Sequence, residues 1–143
     1  MRLVSSIVAA VAALLALGSP AGAAQALAAH DYVVFFRADQ AELTPQAEVI
    51  IAKAARAAKD EQAAGRLGYV KVIGYSDATG APDAAQKLSV ARAEAIRRAL
   101  VAHGIADPML RVEGRGKRKA KAAKPDAVKE LVNRRARIVL YGK

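Results

Sequence analysis

An acid and an arginine fifteen residues apart are the side chains of this chain best suited to chemistry. The acid is Asp77, in Gly74-Tyr75-Ser76-Asp77-Ala78-Thr79-Gly80. The arginine is Arg92, in Leu88-Ser89-Val90-Ala91-Arg92-Ala93. A carboxylate in a glycine-bounded turn can accept from an ammonium. An arginine offers a planar fork of donors to a carboxylate. Together they suit a ligand that carries both groups. Ser76 and Thr79 place two hydroxyls in the same turn. Plainer roles stand beside this one: Asp77 as a turn brace or helix cap, Ser76 as a turn closer, and Arg92 as a surface ion-pair partner.

These residues must be positioned by elements, and the patterning supplies them. Tyr32 to Phe36 is a β-branched and aromatic run, read as a strand. Thr44-Pro45 starts a helix, with Thr44 as N-cap and Pro45 in the first turn. Ala47, Ile50, Ile51, Ala54 and Ala58 give it one apolar stripe. Gly65 to Gly68 ends it, and Tyr69 to Ile73 is a second strand closed by Gly74. Pro82-Asp83 opens a second helix that runs to Ala102, with Gly104 as its left-handed stop. Its expected buried stripe is Leu88, Ala91, Ala95, Ile96, Ala99 and Leu100. Met109 to Glu113 is a third strand, and a short helical turn is expected over 125–131. Ala136 to Tyr141 is the last strand. The order β-α-β-α-β-(short α)-β predicts a two-layer α/β sandwich with a mixed four-stranded sheet. The first two βαβ units are each expected to form a parallel crossover.

Not all 143 residues belong to that domain. Met1-Arg2 is a basic start, Leu3 to Leu17 is apolar apart from Ser5 and Ser6, and small residues follow Gly18-Ser19-Pro20. This is the layout of a secretory signal peptide. The run is shorter than the roughly 20 residues of a membrane-spanning helix. Residues 1–26 are therefore expected to be a signal, cleaved after Ala26, and 27–143 the mature domain with no span of its own. There is no cysteine, so neither disulfides nor a lipidated N-terminal cysteine enter the picture.

Charge is uneven. Residues 27–110 carry ten Lys/Arg and ten Asp/Glu, while 111–143 carry twelve against three, an excess of +9. Such a patch attracts polyanions. Behind a signal peptide these are wall polymers and anionic lipid surfaces, and nucleic acid is not expected. Lys117, Arg118, Lys119 and Lys121, in the basic loop 115–124, are candidate anion contacts. The plainer reading of that loop is a solvated segment. His30 and His103 have no ligand-like neighbours, so no metal and no cofactor is expected. The sequence contains no nucleophile elbow, no His-x-x-x-His and no phosphate loop, so the reading is a binding protein rather than an enzyme.

Taken in order, the motifs resemble the OmpA C-terminal family, the peptidoglycan-associating module of Gram-negative envelopes. Phe35-Phe36 followed by Ala41-Glu42-Leu43-Thr44-Pro45 is similar to its first strand and helix start. The Gly74–Gly80 turn, Leu88-Ser89-x-x-Arg92-Ala93, His103-Gly104-Ile105, Val112-Glu113-Gly114-x-Gly116 and Asn133-Arg134-Arg135-Ala136-Arg137-Ile138 follow at compatible spacing. The resemblance covers about residues 32–141.

That resemblance implies a periplasmic module that binds meso-diaminopimelate of the peptidoglycan stem peptide, associated with the wall or outer membrane. It implies Asp77 and Arg92 as the main side-chain contacts. Diaminopimelate carries an amino group and a carboxylate on one carbon, which agrees with the reading of the residues alone. Other envelope proteins are implied as further partners. Where the family often carries Asn, eight residues after the aspartate, this chain has Ala85, so one polar contact is expected to be missing. Two other readings stand against this one: a salt-sensitive polyanion binder that acts through the basic C-terminal quarter, and an interaction module that keeps the fold without the pocket.

Overall fold

The computed structural model describes residues 26–76, 81–117 and 133–143. Residues 1–25, the Asp77–Gly80 part of the turn, the basic loop beyond Lys117 and the helical turn expected over 125–131 lie outside the described residues.

Four strands and two long helices carry the fold. They are β1 (Ala26–Phe35), α1 (Pro45–Ala63), β2 (Leu67–Gly74), α2 (Pro82–Ala102), β3 (Leu110–Gly114) and β4 (Arg135–Gly142), with a 3₁₀ turn at Asp107–Met109. The helix starts follow the local chemistry. Thr44 Oγ1 accepts from the Ala47 amide at 3.1 Å, and Pro45 occupies the first turn. Pro82 opens α2, and Gly104, at φ +91°, lets the chain leave it. Neither helix is long and apolar enough to cross a membrane.

The sheet order is β1-β4-β2-β3. β4 is antiparallel to both neighbours, while β2 and β3 are parallel. The sheet is therefore mixed, as expected. The first crossover differs from expectation: β1 and β2 run parallel but do not touch, because β4 lies between them. β1 is also longer than its apolar run. Its alanines are poor strand formers, yet Ala26 pairs with Tyr141, with a register shift before Asp31. Pairing along β4 outweighs local preference there.

Both helices cover the same face of the sheet. Val34, Val70, Val72, Ile138 and Leu140 meet Ile51 and Ala54 of α1 and Ile96 and Leu100 of α2 in one buried cluster. Buried alanines on both helices, Ala47, Ala54, Ala58 and Ala93 among them, let backbone come close to the sheet. At the far end of α1, Glu61 accepts from Arg66 at 2.7 and 2.9 Å.

The other face of the sheet has no helix on it among the described residues. There Glu113 sits between Arg115 (2.6 Å) and Lys71 (2.7 Å). Hydrogen bonds from the Arg115 guanidinium first, and from the Lys71 ammonium second, hold its carboxyl at about 2, below an ordinary value of 4.5. A lowered folded pKa stabilises above the unfolded value. That gain fades as pH falls from about 4.5 towards 2.

Two predictions follow from this packing. Ile96→Ala should lower the unfolding free energy by about 2–5 kcal/mol, because Ile96 is fully buried. Val101→Ala, at 40% exposure, should change it by less than about 0.5 kcal/mol. Denaturant midpoints measure both. The difference in midpoint between the unmodified protein and Glu113→Gln should be present at about pH 7 and absent at about pH 2. A constant difference across that range would contradict the assignment.

Candidate functional site

The sequence-predicted site falls at one end of the sheet, where β2 and β3 finish side by side and β4 begins. Gly74 pairs with Gly114 there. A Cβ on Gly74 would run into the Ser89 carbonyl oxygen, and one on Gly114 would come within 2.7 Å of Ser89 Oγ. These two glycines let α2 sit directly on the strand ends. Beyond them the backbone is stitched together. Arg115 N donates to Gly74 O, Ser76 N to Gly116 O, and Tyr75 N to Arg135 O, each at 2.9 Å. Ser89 Oγ donates to Gln86 O at 2.7 Å and accepts from Gly116 N at 2.9 Å. Gln86 Nε2 donates to Gly114 O at 2.8 Å.

Under this roof lies Arg92, with 0% exposure. A buried guanidinium is costly unless its donors are met. Nε donates to Gln40 O at 2.8 Å, Nη2 to Arg37 O at 3.0 Å, and Nη1 to Tyr75 O at 2.9 Å and Asn133 O at 3.5 Å. The Phe36 ring centroid lies 5.2 Å from its central carbon. Those carbonyls belong to the β1–α1 connection, the end of β2 and the approach to β4. One side chain thus ties three separate segments to α2.

This placement corrects the expected stripe on α2. Leu88 is only half-buried and Ala91 is exposed. The buried residues are Ala85, Ser89, Arg92, Ala93, Ala95, Ile96 and Leu100, so Ala95, Ile96 and Leu100 fall as expected. The reason is the glycine pair: where the strands end in glycine, the helix presents small and hydrogen-bonding residues to backbone. The spacing 85, 89, 92, 96, 100 is a regular helical stripe. It is visible only if Ser89 and Arg92 are counted with the apolar residues.

The remaining predicted residues divide. Ser76 is fully buried directly before the turn, and Asn133 is also buried. Asp77 and Thr79 lie outside the described residues, as do Arg118, Lys119 and Lys121. Lys117 is exposed after β3. Ala85 faces inward at 2% exposure, beside the strand ends. Sequence reasoning did not single out Gln86, Ser89, Arg37 or Gln40. Arg37 and Gln40 also line a hollow of about 100 Å³ with Glu42, Leu43, Thr44 and Pro45. The hollow therefore shares two of its walls with the backbone that receives Arg92. Its lining has one cation, one anion, a hydroxyl and a carboxamide, which suits a small polar group. Tyr75 is buried, with its hydroxyl 3.4 Å from Arg115 Nη1. The pKa of Arg115 is raised, mainly by its bond to Glu113. Among the described residues no group of His, Cys, Asp or Glu could hold a metal ion.

The chain is similar in fold and sequence to known proteins. The peptidoglycan-associated lipoprotein from Burkholderia pseudomallei superposes with a TM-score of 0.67 at 28% identity, over 76% of this chain and 89% of that one. An outer membrane protein of Gluconacetobacter diazotrophicus is 29% identical over 119 residues, 79% of this chain and 30% of the relative. The probable lipoprotein YiaD of Escherichia coli is 37% identical over 71 residues, 50% of this chain and 32% of the relative. The chain thus spans about a third of the length of each of these two relatives. The OmpA family model matches residues 35–134. That match takes in most of β1–α1, the whole α2 seat and the Arg92 clamp, and by it the chain belongs to the OmpA family.

Proposed function

We propose that this protein is a non-catalytic module that holds peptidoglycan by the meso-diaminopimelate of its stem peptide. In this reading Asp77 accepts from the ligand's ammonium. Arg92 supplies positive charge for the adjoining carboxylate from its buried seat, while its nitrogens stay on the main-chain carbonyls. Ser76 and Thr79 complete the turn. Residues 1–26 export the chain, and the domain acts in the periplasm, joining other envelope components to the wall.

The observation that carries the reading is the seat of Arg92. It is fully buried almost three helical turns into α2, and it donates to the carbonyl of Tyr75, two residues before Asp77 in the chain. A positive charge held rigidly this near in sequence to an acid supports the reading of a preorganised receptor for an amino-acid head group. Membership of the OmpA family and likeness to a peptidoglycan-associated lipoprotein support the same ligand.

The test is sedimentation of the full chain with purified sacculi. Asp77→Asn should fold as well as the unmodified protein. It should bind at least about tenfold more weakly, as the loss of a charged hydrogen bond implies. Free meso-diaminopimelate should displace the unmodified protein, and raised salt should not. Binding that ignores Asp77→Asn and disappears in salt would instead favour the basic C-terminal quarter. Arg92→Leu is expected to do more than weaken binding. It removes the bonds to Arg37 O and Gln40 O and leaves the buried carbonyls of Tyr75 and Asn133 without this donor, at about 1–3 kcal/mol for each buried acceptor left unpaired. Its denaturation midpoint should therefore drop steeply, whereas that of Asp77→Asn should not.

A further inference from the structure

The helix-free face of the sheet is chemically unlike the rest of the domain. Strand register fixes which residues stand on it. Lys71 lies opposite Arg111 on one side and Val139 on the other, Ile73 opposite Glu113 and Arg137, Phe35 opposite Arg135, and Tyr69 opposite Tyr141. Among the described residues, Lys71, Arg111, Arg115, Arg135 and Arg137 share this face with two carboxylates, Asp31 and Glu113.

Both carboxylates are already engaged. Glu113 takes Lys71 and Arg115 together, and Asp31 takes Arg137. Two arginines stand on aromatic rings instead. Arg111 lies 3.6 Å above the centre of Tyr69, which is itself stacked on Tyr141 at 4.6 Å. Arg135 lies 5.1 Å from the centre of Tyr75, and its buried Nε has no hydrogen-bond partner. An arginine on a ring keeps its charge and much of its donor edge available to an incoming anion. Beside Arg135, Phe35 is 54% exposed, the larger ring of the face left to solvent.

The layout of these charges bears on what they meet. They span three adjacent strands, β3, β2 and β4, spaced about 4.8 Å apart. The charges are thus spread across the sheet rather than strung along one strand. Arginines spread in two dimensions, with tyrosines and an exposed phenylalanine among them, match a bilayer surface, where phosphates form a plane and aromatic rings settle at the headgroup level.

We propose that this open face docks on an anionic phospholipid surface, its arginines over the headgroup phosphates and Phe35 in the interface. The proposal is independent of the wall-binding reading, since the face and the Arg92 seat use different residues. It leaves the wall site at the end of the sheet free while the flat of the sheet rests on lipid.

The experiment is vesicle co-sedimentation of the full chain, using phosphatidylcholine alone and phosphatidylcholine with about one-third phosphatidylglycerol. The apolar N-terminal run is common to every variant, and any binding it causes appears with phosphatidylcholine alone. Arg111→Glu should reduce the added binding to the anionic vesicles at least about tenfold. Phe35→Ser should reduce it by about threefold or more, with both variants unchanged in thermal midpoint. Asp77→Asn should leave vesicle binding intact, and Arg111→Glu should leave sacculus binding intact, so the two sites can fail separately. Three results would overturn the proposal. One is no preference for anionic vesicles. Another is loss of binding on changing Arg118, Lys119 and Lys121 to Gln with none on Arg111→Glu. The third is a soluble single-stranded DNA oligonucleotide that binds the face and displaces the vesicles completely at equal phosphate concentration, which would make it a site for linear polyanions.

Discussion

A fully buried guanidinium sets the terms for one end of this molecule. Water cannot reach Arg92, so the chain must supply oxygen to it, and it does so with main-chain carbonyls from segments far apart in sequence. Charge-assisted hydrogen bonds of this kind are stronger than neutral ones. Their loss would leave the buried Tyr75 and Asn133 carbonyls without this donor. The β1–α1 connection, the end of β2 and the approach to β4 are thereby held in one relative position.

The frame works because the strands end in glycine. Gly74 and Gly114 remove the side chains that would hold α2 away, and Ser89 fills the space with a hydroxyl that both donates and accepts. The two helices divide the work. α1 packs alanines and Ile51 into an apolar cluster and contributes stability. α2 does this only in its second half, through Ile96 and Leu100, while its first half is a polar joint to the strand ends. On the far side of the sheet, charge and aromatic rings replace helices as the cover.

Much of this was legible from the residues. Thr44-Pro45, Pro82 and Gly104 mark helix ends by local chemistry alone, and the structure follows them closely. β1 and β4 hold apolar runs, while β2 and β3 set charged residues between apolar ones, all with clear boundaries towards the site. Three things were not legible, each for a physical reason. The first half of β1 is alanine, and becomes a strand only because β4 offers a partner. The insertion of β4 between β1 and β2 depends on long-range pairing that no local pattern encodes. The burial of Arg92 runs against the usual habit of arginine, and depends on carbonyls contributed by residues more than fifty positions before it in the chain. Family resemblance singled out Arg92 as a ligand contact; it did not say that the residue is structural.

The position of β4 has a consequence for how the chain comes to be folded. The strand made last lies at the middle of the sheet, and Asp31 waits for Val139 as a neighbour. Until residues 135–142 are present, β1 has no strand to pair with, and β2 has only β3. A growing chain therefore has no complete sheet to collapse onto, and closing so long a loop is slow. The fold withholds its own completion until the final strand has been delivered.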